Sequence, residues 1–254
     1  MSEPSTIQVR RLANVDYVTL NRPEVRNAFN EHLIAEMTAW AARAASDKAL
    51  RAVVIDGAGR SFCAGADLAW MAKMAGYTQE ENLRDARAAG AMFAAIDTLP
   101  VPVIAQIHGA ALGGGAGIAA VADIVVAADD TTFGFTEVKL GLIPAVIAPY
   151  VLGKIGPSAA RELFITGRRF DAAHARAIGL VHAVAPAADL IDTVNKYLIE
   201  IAANGPEAMR AAKALLRTIA GASLADAAPI TAHAIAERRV SDEAQKMMGE
   251  FLKR

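Results

Sequence analysis

The sequence predicts an α/β fold with a helical C-terminal region. Three observations carry this. Up to about residue 147, apolar strand-like segments alternate with stretches of helical period. From Ala148 onward helical period dominates. Two of the early strands run into glycine-rich loops, a design that ends a strand and opens a helix with free backbone N–H groups.

The elements follow in order. Ile7–Arg11 and Tyr17–Leu20 read as a hairpin around Ala13-Asn14-Val15, and Asn21-Arg22-Pro23 ends its second strand. Asn30 is a candidate N-cap for a helix from Glu31 to about Ala45, with Leu33, Met37 and Ala41 in one apolar stripe. Ala52–Asp56 is a buried strand closed by Gly57-Ala58-Gly59. Glu80 to Asp97 is helical, and Val101–Ile107 is the next strand, with Pro102 placing its start or an edge. Ile124–Ala127 and Phe133-Gly134-Phe135 are strand-like. Ser158–Thr166, Asp171–Ile178 and Ala187–Ala203 are helices, with a short strand at Val181–Val184. The remainder reads as three helices broken near Gly221 and Val240-Ser241.

Composition excludes several classes. The 254 residues suffice for one generous core or two small ones. The apolar fraction is 54%, but much of it is alanine in helical stretches. No uninterrupted apolar run approaches the roughly 18–20 residues of a spanning helix, so no membrane partner is expected. Met1-Ser2-Glu3-Pro4-Ser5 carries no basic or apolar leader. A net charge of −1 gives no footprint for nucleic acid. Cys63 is the sole cysteine, which excludes an internal disulfide and leads to the expectation of a cytoplasmic protein. The surplus of apolar residues anticipates an oligomer.

The chemistry centres on two loops. His108-Gly109-Ala110-Ala111-Leu112-Gly113-Gly114-Gly115-Ala116-Gly117 follows one strand, and Ser61-Phe62-Cys63-Ala64-Gly65-Ala66-Asp67-Leu68 follows another. Two such loops can aim two N–H donors at one oxygen, as an oxyanion hole does. Gly115-Ala116-Gly117-Ile118-Ala119-Ala120 fits the dinucleotide fingerprint, with Glu137 20 residues beyond Gly117. That fingerprint needs the strand to run directly into its first glycine, and here His108 to Gly114 intervene. Ser61 lacks the glycine at position 63 that a nucleophile elbow needs, and Cys63 reads as a small buried hydrophobe. The five histidines show no metal-ligand spacing, so no metal is expected, and His108 reads as shaping the turn. Glu137, within Phe133-Gly134-Phe135-Thr136-Glu137-Val138-Lys139, has two readings. It is either a buried carboxyl with a raised pKa suited to general acid/base work, or a solvated carboxylate paired with Lys139.

Leu20-Asn21-Arg22-Pro23, Asn27-Ala28, Phe62 to Leu68, the Gly113–Gly115 run, Phe133-Gly134, Glu137 and Gly141-Leu142-Ile143-Pro144 occur together and in order. So do Leu163, Thr166-Gly167 and Ala175–Val184. Collinear from about residue 5 to the C-terminus, the chain resembles the crotonase (enoyl-CoA hydratase/isomerase) superfamily. The resemblance implies a crotonase-like spiral of ββα units over 1–195 and a C-terminal helical trimerisation region over 196–254. It implies a homotrimer or a hexamer built from two trimers. The implied substrate is an acyl-CoA thioester, with coenzyme A part of the substrate and no separate cofactor. The N–H groups of Ala66 and Gly114 take the oxyanion-hole role and Glu137 the acid/base role. Arg26, Ala28, Ala64, Ala66, Asp67, Leu68, Gly114 and Gly117 fall along the substrate channel. Phe251 and Lys253 fall where the C-terminal helix reaches a neighbouring subunit's coenzyme A.

One departure bears on the reaction. The two-carboxylate hydratases carry a glutamate where this chain has Gly117. With Glu137 alone, three outcomes stay open: hydration of a 2-enoyl thioester, a 3,2-isomerase that moves one proton, or action on a substrate whose own polar group needs the vacated space. A non-catalytic acyl-CoA binder is a rival of another class. The run Glu137-Val138-Lys139 with Gly141-Leu142-Ile143-Pro144-Ala145-Val146-Ile147 is similar to the methylglutaconyl-CoA and carboxygeranoyl-CoA type hydratases. The expectation is a branched or carboxylated 2-enoyl thioester, with Gly117 leaving room for the second carboxylate. Arg84, Arg87 and Lys73 are candidate partners for that group or solvated helix charges.

Overall fold

The computed structural model describes residues 5–253. Met1–Pro4, which include most of the segment searched for a leader, and Arg254 lie outside the described residues. The first strands, β1 (Ile7–Leu12) and β2 (Val15–Leu20), form the expected antiparallel hairpin, paired Ile7 to Leu20. Asn30 caps α1 (Glu31–Ser46) by accepting a bond from the Leu33 N–H. Leu33, Met37, Trp40 and Ala41 make its buried face. β3 (Ala52–Gly57) adds to β2 in parallel register. After a loop come α2 (Leu68–Met74) and α3 (Gln79–Asp97), the latter opened by a capping box between Thr78 and Glu81.

Three turns of chain then stack. β4 (Val103–Ile107), β5 (Ala110–Leu112) and α4 (Gly114–Val121) form one turn. β6 (Ile124–Ala128), β7 (Thr132–Gly134) and α5 (Ala148–Thr166) form the next. β3, the loop around Cys63 and helices α2 and α3 form the turn before them. β3, β4 and β6 pair in parallel in one column. Cys63, β5 and β7 pair in parallel in a second column. That repeat of strand, strand, helix is the expected ββα spiral.

The second column is closed by β8 (Arg169–Asp171), antiparallel to β7, and leads into α6 (Ala172–Ala177). β9 (Ala183–Ala185) joins β6 and completes a six-stranded sheet in the order β1-β2-β3-β4-β6-β9. α7 (Leu190–Ala203) covers one face of that sheet with Leu190, Val194 and Ile201. α1 and α3 cover the other, with Met92, Phe93 and Ile96 facing inward from α3. Pro102 has no N–H to donate, so the strand starts two residues later than expected, at Val103. The Pro102 carbonyl still accepts from the Val53 N–H.

α8 (Pro206–Ile219), α9 (Leu224–Val240) and α10 (Asp242–Phe251) bury no residue within the chain. α8 is tied to the spiral by polar bonds instead. Arg210 donates to the Leu50 carbonyl, Arg217 to the Asp97 carbonyl, and Lys213 bonds Asp123 at 2.5 Å. No helix among the described residues is long and apolar enough to cross a membrane.

Candidate active site

The site is built where the second strand column meets the start of α4. At Gly109 the chain turns with φ +65°, and a Cβ there would lie 2.2 Å from the Arg60 carbonyl oxygen. His108 bonds the Gly59 carbonyl through Nε2 at 2.9 Å, which fastens the two loops side by side. The Cys63 N–H then donates to the Ala110 carbonyl and the Leu112 N–H to the Cys63 carbonyl, so loop 61–66 runs along β5 like a strand. A second seam joins the same loop to Phe29. The Phe29 N–H donates to the Gly65 carbonyl and the Asp67 N–H to the Phe29 carbonyl.

These seams skip two donors. In the bridge between Phe29 and Ala66, the bonds use Gly65 and Asp67, and the Ala66 N–H points away. Gly114 is the first residue of α4, where an N–H has no partner inside the helix. Neither N–H donates a hydrogen bond among the described residues. The approach is close because the side chains are small: a Cβ on Gly114 would stand 2.9 Å from the Phe29 ring. One on Gly115 would stand 2.8 Å from the Cys63 Cβ. Both free donors open into one cavity of about 240 Å³, and the positive end of α4 lies beside them.

Glu137 lines that cavity too. It begins a single 3-10 turn, Glu137–Leu140, that follows β7. Its Oε1 stands 3.2 Å from where a Cβ on Gly113 would be, so Gly113 leaves room for the carboxyl. Its Oε2 is enclosed and has no hydrogen-bond partner. Burial pushes the pKa of this carboxyl up from the ordinary glutamate value. Lys139 is exposed and makes no ion pair with it among the described residues. Glu137 is thus half-buried, without an ion pair to Lys139 among the described residues, and with one enclosed, unpartnered oxygen.

A second cleft, of about 670 Å³, is lined by Arg26, Ala28, Ala64, Ala66, Asp67 and Leu68 together with Arg60. Ala66 borders both spaces, so the cleft and the cavity meet at one of the free donors. No sequence motif marks Arg60, whose only signal is a cation next to the glycine-rich loop.

The enoyl-CoA hydratase/isomerase family model matches residues 10–254. A short-chain-enoyl-CoA hydratase of Clostridium acetobutylicum is 33% identical over 217 residues, covering 83% of this chain and 80% of that protein. An enoyl-CoA hydratase structure from Shewanella pealeana superposes with a TM-score of 0.94 at 33% identity, covering 98% of this chain and 93% of that one. An enoyl-CoA hydratase/isomerase structure from Marinobacter aquaeolei does so with a TM-score of 0.90 at 34% identity, covering 98% and 97%. The chain belongs to the enoyl-CoA hydratase/isomerase family.

Within this family member, two sequence expectations need correction. Gly117 does not leave room for a second substrate carboxylate. A Cβ there would lie 2.5 Å from Ile147 Cγ2 and 2.9 Å from Phe93 Cε1, so the place of the missing glutamate is filled by apolar side chains. Gly117 is buried and does not line the cavity. The proposed cations are absent there as well: Lys73 bonds Glu31 at 2.6 Å, and neither Arg84 nor Arg87 lines the cavity. Asp67 does stand at the cleft wall, but its carboxylate is already engaged. It bonds Arg22 at 2.7 Å and caps α2 through the Ala69 and Trp70 N–H groups, and these bonds outweigh burial and hold its pKa below the usual value. Phe251 and Lys253 border neither space, and Phe251 lines a separate apolar groove with Met247 and Met248.

Asn27 supports the whole arrangement. It is fully buried, sits at φ +55°, and makes three bonds: it accepts from the Arg22 N–H and donates to the Ala58 and Ser61 carbonyls. Those bonds join the end of β2 to the loop that carries Ala66. Asparagine tolerates the left-handed backbone better than most residues and satisfies all three groups, which explains Asn27-Ala28 as a motif.

Proposed function

We propose that this chain adds water across the C2–C3 double bond of a short, branched 2-enoyl thioester of coenzyme A. The observation that carries the reading is one carboxyl with an enclosed, unpartnered oxygen, Glu137, sharing a cavity with two unpartnered backbone donors, Ala66 and Gly114. The thioester oxygen accepts from both N–H groups, and the negative charge that develops on it as an enolate is stabilised there. Ionised Glu137 takes a proton from water as the water oxygen bonds C3. The same group then returns the proton to C2, and the enolate collapses to the 3-hydroxyacyl thioester. The pantetheine and nucleotide lie in the cleft with Arg26 and Arg60. Apart from Glu137, the side chains of the cavity carry no titratable group, which favours an apolar acyl group over a carboxylated one.

The same observation favours a second reading. A lone carboxylate between apolar walls is suited to moving one proton from C2 to C4 of a 3-enoyl thioester, which is isomerisation. A 2-enoyl and a 3-enoyl thioester assayed side by side separate the two. Hydration is expected to consume the conjugated absorbance of the 2-enoyl compound; isomerisation creates it from the 3-enoyl compound. Tight binding with neither change would leave an acyl-CoA binder. The exposed Leu224, Val240, Phe251 and Leu252 of the C-terminal helices support assembly into a trimer or hexamer, and a monomeric mass by light scattering would exclude it.

A further inference from the structure

We infer that Trp70 is the end wall of the acyl pocket and sets the longest chain the enzyme accepts. The inference rests on the thioester occupying the Glu137 cavity as proposed above. Trp70 lies on α2 and is 8% exposed. One side of it borders the 240 Å³ cavity. The other borders a groove of about 740 Å³ that lies between α1 and α2. Among the described residues, Trp70 alone lines both spaces. The two spaces differ in chemistry. The cavity is apolar apart from Glu137, whereas the groove carries the Arg22–Asp67 and Lys73–Glu31 ion pairs.

Volume and anchoring argue for a fixed wall. At about 30 Å³ for each water-sized group, the cavity holds roughly eight non-hydrogen atoms. A thioester head and a short acyl chain fill it, and a longer chain has to displace the indole. The helix that carries the indole is fixed at two points. The Trp70 backbone N–H is capped by Asp67 at 3.3 Å. The next turn of α2 is tied to α1 by Lys73 and Glu31. The ring itself is packed in the apolar core, and its Nε1 is enclosed without a hydrogen-bond partner among the described residues. Removing the ring joins the cavity to the open groove and gives a long chain a way out.

The experiment is a series of straight-chain 2-enoyl thioesters from four to twelve carbons, turned over by the wild type, Trp70→Phe and Trp70→Ala. For the wild type, kcat/KM is expected to fall more than about 100-fold across the series. Trp70→Phe keeps a ring at the wall and should keep that fall. Trp70→Ala should reduce it at least about tenfold, by gain on the twelve-carbon substrate. Equal turnover of four- and twelve-carbon chains by the wild type overturns the inference without any variant. So does a folded Trp70→Ala with an unchanged series. If Trp70→Ala does not fold, Trp70→Leu takes its place, and an unchanged fall in that variant overturns the inference. If the wild type turns over no enoyl thioester, the hydratase reading fails by itself. Calorimetric binding of saturated four- and twelve-carbon thioesters then tests the wall, and equal affinities overturn it.

Discussion

Glu137→Gln is expected to lower turnover by about 10²–10⁴-fold while acyl-CoA affinity stays within a few-fold of wild type. The amide keeps the shape of the side chain and the contact near Gly113, but it can neither take nor return a proton. The cleft with Arg26 and Arg60, where the nucleotide end is proposed to sit, is untouched. Because burial raises the carboxyl's pKa, the wild-type rate should fall with decreasing pH at a point above the ordinary glutamate range. That acid limb should vanish from the residual activity of the variant. The stability consequence has the opposite sign. A group whose folded pKa is raised binds more protons in the folded chain than in the unfolded one. Its contribution is full below the unfolded value of 4.5 and is lost as pH rises through the folded value. The variant should therefore melt above wild type at pH 8 and alongside it at pH 4. Undiminished turnover would falsify the role of Glu137; equal melting at pH 8 would show that the carboxylate is better solvated than its enclosed Oε2 indicates.

Much of this fold is readable in the chain because its longer elements are locally self-consistent. The hairpin around Asn14, the Asn30 cap, the helical period up to Asp97 and the breaks at Gly221 and Ser241 each rest on neighbouring residues. β5 and β8 escape that reading because each is three residues long and has no period of its own. β5 is a strand because loop 61–66 and β7 lie on either side of it. α5 is two helical pieces that meet at Gly156, whose φ of +73° is not helical: the piece after Pro157 is the helix expected from Ser158, and the piece from Ala148 is the addition. That two glycine-rich loops can aim two donors at one oxygen follows from loop chemistry, while the choice of Ala66, Gly114 and Glu137 comes from the family resemblance. The roles of Trp70, Phe93 and Ile147 follow from neither, because they depend on distances between segments far apart in sequence. Gly117 shows the limit most clearly. The missing side chain is visible in the sequence, but what fills its place comes from α3 and the start of α5.

Gly117→Glu is accordingly expected to destabilise the protein instead of restoring a two-carboxylate site. The new Cβ would lie 2.5 Å from Ile147 Cγ2 and 2.9 and 3.1 Å from Phe93 Cε1 and Cζ. Neither neighbour yields easily. Ile147 is 3% exposed, and Phe93 is wedged between Phe29 and Tyr150 at ring separations of 6.1 and 6.4 Å. Overpacking of this kind costs about 1–3 kcal/mol. A carboxyl buried there without a partner adds about as much again, and its pKa would rise until it is neutral. Together these effects should lower Tm by roughly 6–15 °C, with no gain in hydration rate. Ile147→Ala combined with Gly117→Glu removes the nearest clash and should recover part of the lost stability, since the two sites share one space. Phe93 still blocks the other side, so recovery should be incomplete. A Gly117→Glu variant that melts with wild type and hydrates faster would mean that Ile147 and Phe93 move aside at little cost. The single-carboxylate character of the site would then be a matter of one residue. If melting falls as expected, that character is held by the packing of three segments, and a second acid can enter only after the apolar wall is rebuilt.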